Sequence, residues 1–85
     1  MQFTIEDLKQ VLRAAAGEGE GGDLDSDIMD TPFDELGYDS LALLETGSRI
    51  GREHGIELPD STVTEARTPR ALLACINQQL ASASA

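Results

Sequence analysis

LGYDSLALLE, Leu36 to Glu45, decides how the chain is read. It runs from Gly37 through Asp39 and Ser40 straight into an apolar stretch. The periodicity predicts a helix from Ser40 to His54. On a wheel of about 100° per residue, Leu41, Leu43, Leu44, Gly47, Ser48, Ile50, Gly51 and His54 form the half expected to be buried. Glu45, Thr46, Arg49, Arg52 and Glu53 form the half expected to face water, with i,i+4 pairs Glu45–Arg49 and Arg49–Glu53. Gly55 is placed to stop the helix in the left-handed conformation, and His54 sits at the end of the dipole that favours positive charge. Gly47, Ser48 and Gly51 leave room on the inner half, to be filled by a neighbouring helix or by a guest molecule.

On the N-terminal side, Thr4 to Ala16 reads as an amphipathic helix. Thr4 is the expected N-cap, and Glu6 and Asp7 lie in the first turn, where the dipole favours acids. Ile5, Leu8, Leu12 and Ala15 share one face, with Val11 beside them. Between the two helices, Gly17 to Asp39 is a long stretch with nine acids and no base. Its spaced apolar residues, Leu24, Ile28, Met29, Phe33 and Leu36, pin it onto a core with one or two short turns.

On the C-terminal side, Ile56 to Arg67 reads as a loop anchored by Ile56 and Leu58, with one short helical turn around Val63 to Ala66. Thr68 and Pro69 open a last helix as N-cap and first helical residue. Leu72, Leu73, Ile76 and Leu80 form its apolar stripe, and Ala81 to Ala85 is expected to fray. The expected fold is all-α, a small bundle of three to four helices with a long first loop, and residues 1–85 form a single domain.

Composition excludes several classes of function. Sixteen acids against six bases give a net charge of −10, which repels nucleic acid and anionic membrane and favours partners with basic patches. Cys75 is the single cysteine, so no intrachain disulfide can form. No apolar run approaches the roughly 18–20 residues of a membrane span. The opening MQFTIEDLKQ lacks the basic-then-apolar layout of a secretory signal, and the expected setting is the cytoplasm.

Ser40 poses the chemical question. As a nucleophile it needs a base within hydrogen-bond reach. His54 is the only histidine, and fourteen residues along one helix is about 21 Å. Ser40 is therefore not self-activated. Cys75 has no histidine or second cysteine near it in sequence and reads as a structural thiol. Asp23, Asp25, Asp27 and Asp34 fall at ligand positions of a calcium-binding EF-hand loop, but Ile28 stands where that loop needs glycine, so the stretch reads as a solvated acidic loop. Two readings of Ser40 remain. It is an ordinary N-cap, or it is modified by another enzyme, with a phosphate ester favoured by the free N–H groups at a helix start.

The second reading agrees with a resemblance. GYDSLALLE, built on Asp-Ser-Leu, resembles the attachment motif of acyl carrier proteins, and within them most resembles the discrete carriers of bacterial type II (aromatic) polyketide synthases. The GIELPD turn and the last helix starting at TP are similar as well, so the resemblance covers nearly the whole chain. It implies a non-catalytic carrier. Ser40 would receive a covalent 4′-phosphopantetheine arm from coenzyme A through a phosphopantetheinyl transferase. The arm's thiol would hold malonyl and growing polyketide chains as thioesters for antibiotic biosynthesis. A malonyl acyltransferase, a ketosynthase/chain-length-factor heterodimer, a ketoreductase and cyclases would be its partners, served by a monomer without a metal. Asp39, Leu41 and Glu45 match positions near the family's partner-contact surface. A carrier for fatty-acid or other acyl groups is the nearest alternative. In one respect the chain departs from the fatty-acid carriers: Arg49 and Arg52 lie among the acids of the second helix.

Overall fold

The computed structural model describes residues 2–16 and 28–84. Four helices follow in order: α1 (Ile5–Ala16), α2 (Ser40–His54), α3 (Asp60–Glu65) and α4 (Pro69–Ser84). Among the described residues there is no strand.

Each start and stop has a local cause. Thr4 and Asp7 cap α1 reciprocally: the Asp7 amide donates to Thr4 Oγ1 at 3.2 Å, and the Thr4 amide donates to Asp7 Oδ2 at 3.0 Å. The Thr4 amide and, after it, the Thr4 hydroxyl, which also donates to Asp7 Oδ2 at 3.0 Å, hold the Asp7 carboxyl below its ordinary pKa. Helix α2 ends on Gly55 in the left-handed region at φ 65°. Thr68 Oγ1 accepts from the Ala71 amide at 3.3 Å, capping α4 where Pro69 enters it. Helix α4 continues through Ser84, further than the alanines and serines from Ala81 suggest. Helix α3 begins at Asp60, earlier than the turn expected around Val63 to Ala66.

The core is aliphatic with three aromatic rings. Leu8 and Leu12 of α1, Leu43 and Ile50 of α2, Val63 of α3, and Leu72, Leu73, Ile76 and Leu80 of α4 are buried together with Phe3, Ile28, Phe33, Leu36 and Tyr38. The segment before α1 is locked onto α4 by Asn77, whose Nδ2 donates to Phe3 O at 3.0 Å and whose Oδ1 accepts from Phe3 N at 2.7 Å. The Phe3 ring also meets His54 edge-on at 5.3 Å, joining the start of α1 to the end of α2.

Helix α2 is rotated relative to the expectation from its leucines. Its buried residues are Leu43, Thr46, Gly47 and Ile50, spaced i, i+3, i+4, i+7. Leu41 is 74% exposed and Ser48 is exposed, whereas Thr46, expected outside, is fully buried. Its burial is tolerated because Thr46 Oγ1 donates to the Ala42 carbonyl at 2.9 Å. Neither Glu45–Arg49 nor Arg49–Glu53 forms an ion pair, and the Arg49 Nε is a buried nitrogen with no hydrogen-bond partner among the described residues. The glycines serve close packing. A Cβ on Gly47 would come within 2.8 Å of Val63 Cγ2, and one on Gly51 within 3.0 Å of the Ile56 carbonyl. Val63 of α3 and the Ile56 carbonyl ahead of it occupy the space these glycines leave.

Candidate functional site

The approach to Ser40 is shaped by one helical turn. The Leu36 amide reaches back to Pro32 O at 3.2 Å, then Gly37 N donates to Asp34 O at 3.2 Å and Tyr38 N to Phe33 O at 3.0 Å. This pair of bonds is a Schellman stop with Gly37 at the left-handed position, φ 88°. Phe33 and Tyr38 are both buried, so the turn is anchored at its two ends. The loop is also fastened to the start of α4: Phe33 N donates to Arg67 O at 2.8 Å, Arg70 N donates to Met29 O at 2.9 Å, and the Arg70 guanidinium makes two bonds to the Asp30 carboxylate, at 2.8 and 3.2 Å. Arg70 holds the Asp30 carboxyl below its ordinary pKa, chiefly through those bonds.

Asp39, not Ser40, is the N-cap of α2. Its Oδ1 accepts from the Ala42 amide at 2.9 Å, and Ser40 is the first helical residue. The plain reading of Ser40 as a cap is thereby corrected. Among the described residues nothing hydrogen-bonds the Ser40 hydroxyl, and the residue is exposed. A groove of about 470 Å³ opens beside it, between the turn, the first turn of α2 and the end of α3. It is lined by Pro32, Phe33, Asp34, Glu35, Tyr38, Asp39, Ser40, Leu43, Thr64, Ala66 and Arg67. That volume lies within the range of small-molecule sites, about 300–1,000 Å³.

The residues singled out by sequence divide into two groups. Asp39 and Ser40 line the groove. Leu41 and Glu45 are exposed on α2 and do not line it. His54 stands at the far end of α2, and Cys75 is a half-buried free thiol on α4. Asp23, Asp25, Asp27 and Leu24 lie outside the described residues, and among the described ones no three His, Cys, Asp or Glu side chains gather as a metal site. The groove walls Thr64, Ala66 and Arg67 were not foreseen, because they come from a segment remote in sequence. Phe33 and Tyr38, two of only three aromatics and both just ahead of the serine, were the available signal.

An exposed, unengaged serine at a helix start beside a groove fits covalent attachment of a flexible phosphate-linked arm. Comparison with known proteins points the same way. Residues 6–76 match the family described as "Phosphopantetheine attachment site". The chain is 49% identical over 83 residues to the granaticin polyketide synthase acyl carrier protein of Streptomyces violaceoruber, covering 98% of each. It is 52% identical over 82 residues to the oxytetracycline polyketide synthase acyl carrier protein of Streptomyces rimosus, covering 96% of this chain and 86% of that one. The solution structure of 3-oxo-butyl-ACP, an intermediate mimic from the actinorhodin polyketide synthase in Streptomyces coelicolor, superimposes with a TM-score of 0.88 at 43% identity, covering 98% of this chain and 96% of that one.

The chain belongs to the phosphopantetheine attachment-site family, the acyl carrier proteins. Within that family, the relatives it matches are carriers of type II polyketide synthases. It is a non-catalytic carrier whose cofactor is 4′-phosphopantetheine, and it tethers growing chains for synthase enzymes. Among the described residues no helix is long and apolar enough to cross a membrane.

Proposed function

We propose that Ser40 Oγ carries the 4′-phosphopantetheine arm of a polyketide carrier. The observation that carries this reading is the division of roles at the start of α2: Asp39 supplies the cap, and the adjacent hydroxyl is exposed and unengaged. The arm's thiol supplies thioester chemistry for malonyl and polyketide groups. The protein's own contribution is to present that arm on a firmly held helix start, where the dipole favours the phosphate anion.

Its partners are a phosphopantetheinyl transferase, a malonyl acyltransferase, a ketosynthase/chain-length-factor heterodimer, a ketoreductase and cyclases, met one at a time by a cytoplasmic monomer. Asp39, Leu41 and Glu45 form the contact surface. In support, all three are exposed, and Leu41 is the one large hydrophobic residue exposed among those described. The charge of −10 steers the carrier toward basic rims and keeps each encounter fast and salt-sensitive.

Intact mass after incubation with coenzyme A and a broad-specificity transferase tests the attachment. The parent chain should gain one phosphopantetheinyl group, and Ser40→Ala should gain none. A gain in both proteins, or in neither, overturns the assignment.

A further inference from the structure

We infer that Arg67 is the counterion of the arm's phosphodiester and turns the arm across the groove toward the α3–α4 link. This rests on attachment at Ser40. Three carboxylates line the groove near the serine, on Asp34, Glu35 and Asp39. A phosphodiester on Ser40 adds a further negative charge to that rim. Arg67 is the one cation among the lining residues. It is exposed, and among the described residues its side chain takes part in no ion pair or hydrogen bond, unlike Arg70, which Asp30 holds.

The position of Arg67 is fixed even though its side chain is free. Its carbonyl accepts from Phe33 N at 2.8 Å, so the backbone of the arginine is fastened to a residue that lines the same groove as the serine. A guanidinium binds phosphate oxygens through paired N–H donors, which gives direction as well as charge. With the phosphate drawn to that side, the rest of the arm runs over Phe33 and Ala66, the apolar floor of the groove, instead of outward into solvent. The effect is a bias on an exposed pair, so it weakens as salt shortens the Debye length from about 10 Å at 0.1 M to about 3 Å at 1 M.

The experiment uses the loaded chain, its loading confirmed by intact mass, in parent, Arg67→Gln and Arg67→Lys forms. Phosphorus NMR reads the diester, and amide spectra of apo and holo forms read the groove. The parent should show apo-to-holo shifts at Thr64, Ala66 and Arg67 as well as near Ser40. In Arg67→Gln the distant shifts should fall by about half or more and the phosphorus resonance should move, with Arg67→Lys between the two because one ammonium keeps charge but loses the fork. Salt near 1 M should reproduce the Gln pattern in the parent. Distant shifts that are absent in the parent, unchanged in Arg67→Gln, or present only after malonyl loading overturn the inference. A parent chain that takes up no arm is recognised from its mass before any spectrum and overturns attachment together with the inference.

Discussion

The two ends of α2 meet their surroundings in opposite ways. At the first turn the helix is open: Ser40 is exposed, Asp39 closes the backbone, and a groove of about 470 Å³ lies alongside. From Gly47 onward it is shut: Val63 and the Ile56 carbonyl press against glycines, and His54 meets Phe3. Small residues on a helix therefore do not by themselves signal a cavity. Here they mark closest approach, and the open volume lies where three separate segments meet around bulky rings. A carrier gains from this arrangement, because the serine end can be approached while the remainder of the helix is held by the bundle.

Phe33→Ala is the most damaging way to break the contrast. The ring is 2% exposed and anchors the turn that walls the groove, so its loss should cost about 3–5 kcal/mol. That is a large share of the roughly 5–15 kcal/mol typical of a domain, and urea denaturation should show a collapsed or absent transition. A cost below about 1 kcal/mol would mean that the open end is held by other groups.

Gly47→Ala tests the shut end. Overpacking against the stiff, fully buried Val63 costs about 1–3 kcal/mol, and helix propensity returns about 1 kcal/mol. The net loss should be near 1 kcal/mol, or about 4–8 °C in Tm. In a Val63→Ala background the added methyl should become neutral or stabilising, a coupling that a double-mutant cycle reads directly. Stabilisation by Gly47→Ala in the parent would reveal slack at that contact.

Asp39→Ala should lower stability by about 1 kcal/mol, with Asp39→Ser restoring most of it, as thermal melting can show. An unchanged melt would return the capping role to Ser40. Thr46→Val should change stability by less than about 1 kcal/mol, since the shape is kept and the Ala42 carbonyl lies within the backbone ladder of α2.

The smallest effects are electrostatic. Asp7 and Asp30 have folded pKa values below the ordinary carboxylate value. Their contribution is therefore complete above the unfolded value and is lost as pH falls through the lower folded one. Carboxyl NMR titration should show the Asp7 midpoint rising only part of the way toward normal in Thr4→Val, which removes the hydroxyl donor and keeps the backbone amide, and the Asp30 midpoint rising in Arg70→Gln. A midpoint that stays put in either variant would assign the shift to another cause.

Much of this architecture was legible in sequence because helix ends carry their own chemistry. Thr4 with Asp7, Gly55 after His54, and Thr68 with Pro69 bounded three helices correctly. Helix α3 was set too late because six residues with Val63 as their buried side chain have no periodicity to read. Leu41 misled the wheel: hydropathy counts a surface leucine as core, whereas the actual stripe runs through Thr46. Ser40 stood out through its motif, while its groove did not, since Thr64, Ala66 and Arg67 join it only through tertiary packing.

Capping by Asp39 also bears on how the chain cycles. Esterification of the neighbouring hydroxyl breaks no hydrogen bond of the fold, because the Ala42 and Leu43 amides are held by the Asp39 side chain and carbonyl. Hydrogen exchange at those two amides should therefore run at one rate before and after loading. The helix keeps no record of its cargo, and successive rounds of loading and release can proceed without any refolding step.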